Sequence, residues 1–111
     1  MTDVDPAIRV RLCIEDLLRE RVPLFDGVDT LLQLVQALPS LEHDRDVRML
    51  GGVLAESEHL PVGAARAHWQ KDALHRCDRE LMALERRHRD SVFYACRRLV
   101  TTLDGYARHD A

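Results

Sequence analysis

A chain of 111 residues is long enough for one modest hydrophobic core and too short for two, so residues 1–111 are expected to form a single helical domain. A composition 46% hydrophobic and 32% charged excludes a disordered chain, and with 5% aromatic residues the core must be mainly Leu, Val and Ala. The net charge of −3 is unevenly spread, with 12 acids against 6 arginines in residues 1–60 and 10 basic residues against 7 acids in residues 61–111, which suggests a two-faced surface and argues against a nucleic-acid partner.

Asp5-Pro6 has the form of a helix start, an acid at the N-cap and proline at the first helical position. Val10, Cys13, Ile14 and Leu17 supply the apolar face of this first helix, and Pro23 is expected to end or kink it near Arg21. Asp26 then reads as the cap of a second helix, with Asp29 in the place of a capping-box acid and Val28, Leu31, Leu32, Val35 and Leu38 as its stripe. Ser40 is the expected cap of a third helix, about Leu41 to Glu58, that buries Val47, Leu50, Val53 and Leu54. Gly51-Gly52 in its middle weakens it by about 1 kcal/mol per glycine relative to alanine, which predicts that a neighbouring helix approaches closely there. Leu60-Pro61-Val62-Gly63 ends that helix, and Ala64 to His68 has room for one more helical turn.

From Gln70 the pattern changes scale. Leu74, Cys77, Leu81, Leu84, His88, Val92, Cys96, Leu99, Leu103 and Tyr106 recur at spacings of three and four, the period of one long helix face. Gly105 is the expected stop, and Asp90 or Ser91 offers a point where the helix would split in two. The fold class expected is all-α, a bundle of about four helices with the long C-terminal helix as its spine, and helices one and two lying antiparallel along it.

Cys13, Cys77 and Cys96 are odd in number, lack CxxC spacing and fall on apolar faces, which is the pattern of buried free thiols in a reducing compartment. Met1 to Pro6 has no signal-peptide character and no apolar run approaches ~18 residues, so the expected location is cytoplasmic, away from any membrane. The six histidines make no HxxxH pair, and there is no glycine-rich phosphate loop or nucleophile elbow. Glu56 and Glu58 stand about 200° apart on a helix and cannot share one catalytic site. The expectation is therefore a binding protein without enzyme activity, metal or cofactor.

Two stretches suggest where a partner binds. The first runs from Glu56 through Ser57, Glu58 and His59, with Arg66 and Trp69 after the break at Pro61 and Gly63. Trp and Arg are typical interface anchors, although a solvated helix end with a bundle-plugging tryptophan is the plainer reading. The second is the acidic series Glu42, Asp44 and Asp46, continued by Glu56 and Glu58. Helix-dipole complementation explains its first members, while an acidic face complementary to a basic cleft explains all of them. The candidate contacts are Asp44, Asp46, Glu56, Glu58, His59, Arg66 and Trp69. The pattern Ser57-Glu58-His59-Leu60-Pro61-Val62-Gly63, with Arg66, Trp69, Ala73-Leu74 and Asp78 after it, resembles a motif of small bacterial proteins of unassigned function, some of them similar to immunity partners of secreted toxins. The resemblance covers about residues 56–80. It implies a small cytosolic binding protein and assigns no role to any residue. Together with the acidic face it makes the expected function that of an immunity protein neutralising a bacterial toxin by direct binding, the partner being a toxin domain with a basic cleft. On that reading, reversing Glu56 and Glu58 to Lys removes binding and leaves helicity intact. The alternative is a structural or regulatory homodimer joined along the long helices.

Overall fold

The computed structural model describes residues 5–60, 66 and 68–109, with the side chains of all but the last four. It is all-helical: α1 is Pro6–Leu18, α2 Leu24–Val35, α3 Arg45–Glu56 and α4 Lys71–His109, with a short 3-10 turn at Pro39–Leu41. Proposed elements at Pro61-Val62-Gly63 and Ala64, and the Tyr106 side chain, lie outside the described residues.

α1 begins as expected. The Asp5 carboxylate accepts from the Ala7 amide at 2.8 Å, and Pro6, which has no N–H to satisfy, takes the first position. The helix ends at Leu18, ahead of the Pro23 signal, because Glu20 adopts a left-handed conformation with φ of 55°. The Arg21 amide then reaches Asp16 O at 2.9 Å and the Glu20 amide reaches Leu17 O at 3.1 Å, a Schellman closure with glutamate where glycine is usual. The Glu20 carboxylate stands 3.0 Å from Arg89 of α4, a contact that glycine would not make.

α2 starts at Leu24, with Pro23 at its N-cap and no side-chain cap bond. Asp26 is therefore a first-turn acid complementing the helix dipole, not the cap, since the fixed φ of Pro23 already sets the chain up to enter a helix. The cap expected at Ser40 is likewise displaced. Pro39 leads into a single 3-10 turn that buries Leu41, and α3 is capped by Asp44, whose carboxylate accepts from the amides of Asp46 at 2.8 Å and Val47 at 3.1 Å. α3 ends at Glu56, and the buried Ser57 hydroxyl donates to Leu54 O at 2.8 Å. Among the described residues no neighbouring helix approaches closely at Gly51-Gly52: a Cβ at either position would meet nothing within 4 Å. The glycines are therefore a pure propensity loss. Gly52→Ala is expected to stabilise the protein by about 1 kcal/mol, read as a higher urea midpoint with unchanged slope.

α4 runs unbroken through Asp90 and Ser91 and passes Gly105 without stopping. Both polar residues face solvent, so neither has reason to interrupt a helix whose following turns bury Val92, Ala95, Cys96, Leu99 and Leu103. These five meet Val10, Ile14 and Leu17 of α1, Val28 and Leu31 of α2, and Leu50 and Val53 of α3 in one core cluster. The core thus lies under the C-terminal half of α4. Leu74, Cys77, Leu81, Leu84 and His88, on the same stripe, are only half-buried. At about 1.5 Å per residue the 39 residues of α4 make a rod about as long as the molecule's longest dimension of 55 Å, so the helix spans the whole of it.

The ion pairs give the topology. Arg11 pairs with Asp104 and Glu20 with Arg89, so α1 runs antiparallel to α4. Asp46 pairs with Arg98 at 3.3 Å and Glu56 with His88 at 2.6 Å, so α3 does too. α2, the return arm of the α1 hairpin, runs with α4, which corrects the expectation that both early helices lie antiparallel to it. In each of these four pairs a residue of the first 60 meets one on α4, and three of them set an early acid against a later basic group. The charge asymmetry of the two halves is thus partly neutralised inside the molecule.

Candidate partner-binding surface

The seven residues singled out in the sequence divide into two groups. Asp44 and Asp46 sit at the start of α3, and both have structural duties there. The Asp44 carboxylate is occupied by two backbone amides, and Asp46 is buried, 8% exposed, against Arg98. Burial raises the Asp46 carboxyl above its usual range, with a smaller push from Asp44 and an opposing pull from Arg45. An acid enclosed in this way presents little charge to a partner.

Glu56, Glu58, His59, Arg66 and Trp69 gather at the other end of α3. Glu56 approaches His88 Nε2 to 2.6 Å, close enough for a charge contact but without hydrogen-bond alignment, so the ring nitrogen stays otherwise unsatisfied. His59 Nε2 lies 2.7 Å from Glu80 Oε1. Arg66 grips Asp78 with both terminal nitrogens, at 2.8 and 3.0 Å. That grip holds the Asp78 carboxyl below its usual range, by hydrogen bonding first and charge second. Glu80 and Asp78 are two residues apart on α4, so His59 and Arg66 anchor on the same turn. The loop between α3 and α4 is thereby fastened to the spine on both sides of its undescribed centre. Trp69, whose amide donates to Arg66 O at 3.2 Å, leaves 43% of its surface exposed instead of plugging the bundle.

Glu58 is the one candidate acid that is exposed and has no ion pair among the described residues. It stands over a cleft of about 270 Å³ between the start of α2 and the end of α3, floored by Phe25, Leu54 and Leu60. Asp26 and Asp29 share its rim and are also exposed and unpaired among the described residues. Sequence reasoning missed this pair by assigning both acids to a helix cap. Their i,i+3 spacing, which puts them on one face of α2, was the available signal.

Two of the three thiols are held toward their protonated form. Cys96 is fully buried in the core and burial pushes it up to about 12, so it stays protonated at neutral pH. Cys13 is also raised, by burial first and Asp16 second, and its sulfur lies 3.6 Å from Gly27 O. All three cysteines are free. Among the described residues no group of three or more His, Cys, Asp or Glu side chains is arranged to hold a metal ion, and no helix is long and apolar enough to cross a membrane. Arg86, Arg87 and Arg97 on the exposed side of α4 have no ion-pair partner among the described residues, while Arg89 and Arg98 are engaged by acids from α1 and α3.

Comparison with known proteins finds no family model, no curated protein and no solved structure that matches this chain.

Proposed function

We propose that this chain is a protein-binding module that receives a basic side chain of its partner in the Glu58 cleft, and that in its most concrete form it is an immunity protein neutralising a bacterial toxin by direct binding. The observation that carries the reading is the contrast among the acids. Asp44, Asp46 and Glu56 are engaged within the fold, whereas Glu58, Asp26 and Asp29 stand exposed around an apolar floor. A lysine or arginine suits both parts of that cleft, its aliphatic stem lying on Phe25, Leu54 and Leu60 and its charged head meeting the carboxylates. The exposed Trp69, on a loop that His59–Glu80 and Arg66–Asp78 tie to α4, adds an aromatic contact of the kind that dominates interfaces.

The test uses Glu58→Lys and Asp29→Lys together, because reversing Glu56 would also break its contact with His88. Tagged chain is used to capture a partner from the producing cell, and the affinity of the purified pair is then compared across variants. The double reversal is expected to weaken it by about tenfold or more, with circular dichroism unchanged. Glu42→Lys, at an exposed acid outside the cleft, is the matched control and should bind as the parent does. Equal affinity for the parent and the cleft variant would rule this surface out.

The alternative, a structural or regulatory homodimer joined along the long helices, has less support on α4 itself. The C-terminal half of its apolar stripe is already buried within one chain.

A further inference from the structure

The outer face of the α1–α2 hairpin carries a groove of about 490 Å³ that shares only Asp26 with the cleft described above. Leu12 and Cys13 of α1 and Gly27 of α2 line its middle, with Val22 and Leu34 as apolar walls toward its two ends. Beside it Ile8 and Leu12, one turn apart on α1, are 50% and 54% exposed, an apolar ridge that the monomer leaves uncovered. Because α1 and α2 are antiparallel, the two ends of the groove differ in charge. Arg9 lies at one end, and Asp16 and Asp26 lie at the other. Arg9 and Asp26 have no ion-pair partner among the described residues, and Asp16 meets Arg21 at 3.2 Å in a half-exposed contact.

We propose that this groove is the contact face of a homodimer, in which the α1 helices of two copies cross antiparallel around a two-fold axis passing between Leu12 and Cys13. The charge pattern selects a second copy over any other occupant. A surface that is basic at one end, apolar in the middle and acidic at the other is complementary to itself turned end for end, which is the requirement of an isologous interface. Arg9 and Asp16 stand at equal distances on either side of that axis, about 5 Å each along the helix. The rotation brings Arg9 of each copy to Asp16 of the other and sets the two Leu12 side chains together. It also turns Ile8 toward the apolar wall at Val22. The face is separate from α4 and from the loop that carries Trp69, and it meets the Glu58 cleft only at Asp26, which neither set of variants touches.

Sedimentation velocity and light scattering of the full chain, from about 1 to 100 μM, read the proposal directly, a span that covers dissociation constants in the micromolar range. A reversible monomer–dimer equilibrium that weakens with added salt is expected. Leu12→Asp should be monomeric throughout, with an unchanged helical spectrum, because Leu12 is half-exposed in the monomer. Arg9→Glu and Asp16→Lys should each weaken the dimer by about tenfold, since the two-fold repeats every reversed pair. The double variant Arg9→Glu/Asp16→Lys should recover most of that loss, because the exchange restores opposite charges across the axis. A parent chain that stays monomeric at every concentration overturns the proposal. So does a dimer that survives Leu12→Asp, or a double variant no tighter than the single ones.

Discussion

Leu99→Ala is expected to lower the unfolding free energy by about 2–5 kcal/mol in urea titration, with little change in slope. Leu99 is fully buried in α4, in the one cluster to which α1, α2 and α3 all contribute. Removing its side chain loses both the transfer free energy of the methyl groups and the contacts of the neighbours that line the resulting void. A domain of this size has roughly 5–15 kcal/mol of stability in all, so the variant should sit near its unfolding midpoint under mild stress. The same truncation at Leu74, half-buried at the other end of α4, should cost no more than about 1 kcal/mol, because less apolar area leaves water there. Equal losses at the two sites would contradict a core placed under the C-terminal half of the helix.

Gly27→Ala should destabilise by about 1–3 kcal/mol, opposite in sign to the change at Gly52. Gly27 is buried in α2 where that helix crosses α1. A methyl group there would stand 2.8 Å from Leu17 Cγ and 2.9 Å from Val22 Cγ2, and nearer still to Leu17 Cδ2. Leu17 is 1% exposed, so it has no solvent to swing into, and relief requires the hairpin to open. Thermal unfolding of both glycine variants is the check. A higher midpoint for Gly27→Ala would mean that the α1–α2 packing yields more readily than the close contacts imply. In that case the groove on its outer face would also be less firmly shaped.

Periodicity made the helices legible. The stripe from Leu74 to Leu103 and the faces Val10–Leu17 and Val28–Val35 are where they should be, because a three-to-four spacing of Leu and Val has no other folded use at that length. Boundaries were less legible, for one recurring reason. Several residues able to cap a helix lay within a few positions of each other, and backbone geometry chose among them. Pro23 pre-empted Asp26, and Asp44 pre-empted Ser40. Gly51-Gly52 misled because a helix-weakening pair suggests a compensating contact, and the helix here carries the weakness uncompensated. Of the candidate site, the region around Glu58 and Trp69 was legible as a concentration of interface-type residues beside a chain break. That Asp46 and Glu56 would find Arg98 and His88 was not legible, because pairing across some 30–50 positions depends on how α3 docks on α4.

The unequal burial along α4 divides the helix into two parts of different local stability. Around Cys96 a peptide bond can open only when the whole core opens, and its exchange with solvent reports global unfolding. Toward Lys71 the turns are held by half-buried leucines and by half-exposed contacts to His59 and Arg66, which solvent screens. Those turns can unwind and re-form while the core stays dry. The end of the molecule that carries Trp69 is therefore the end able to change shape on contact, with the rest serving as its fixed mount.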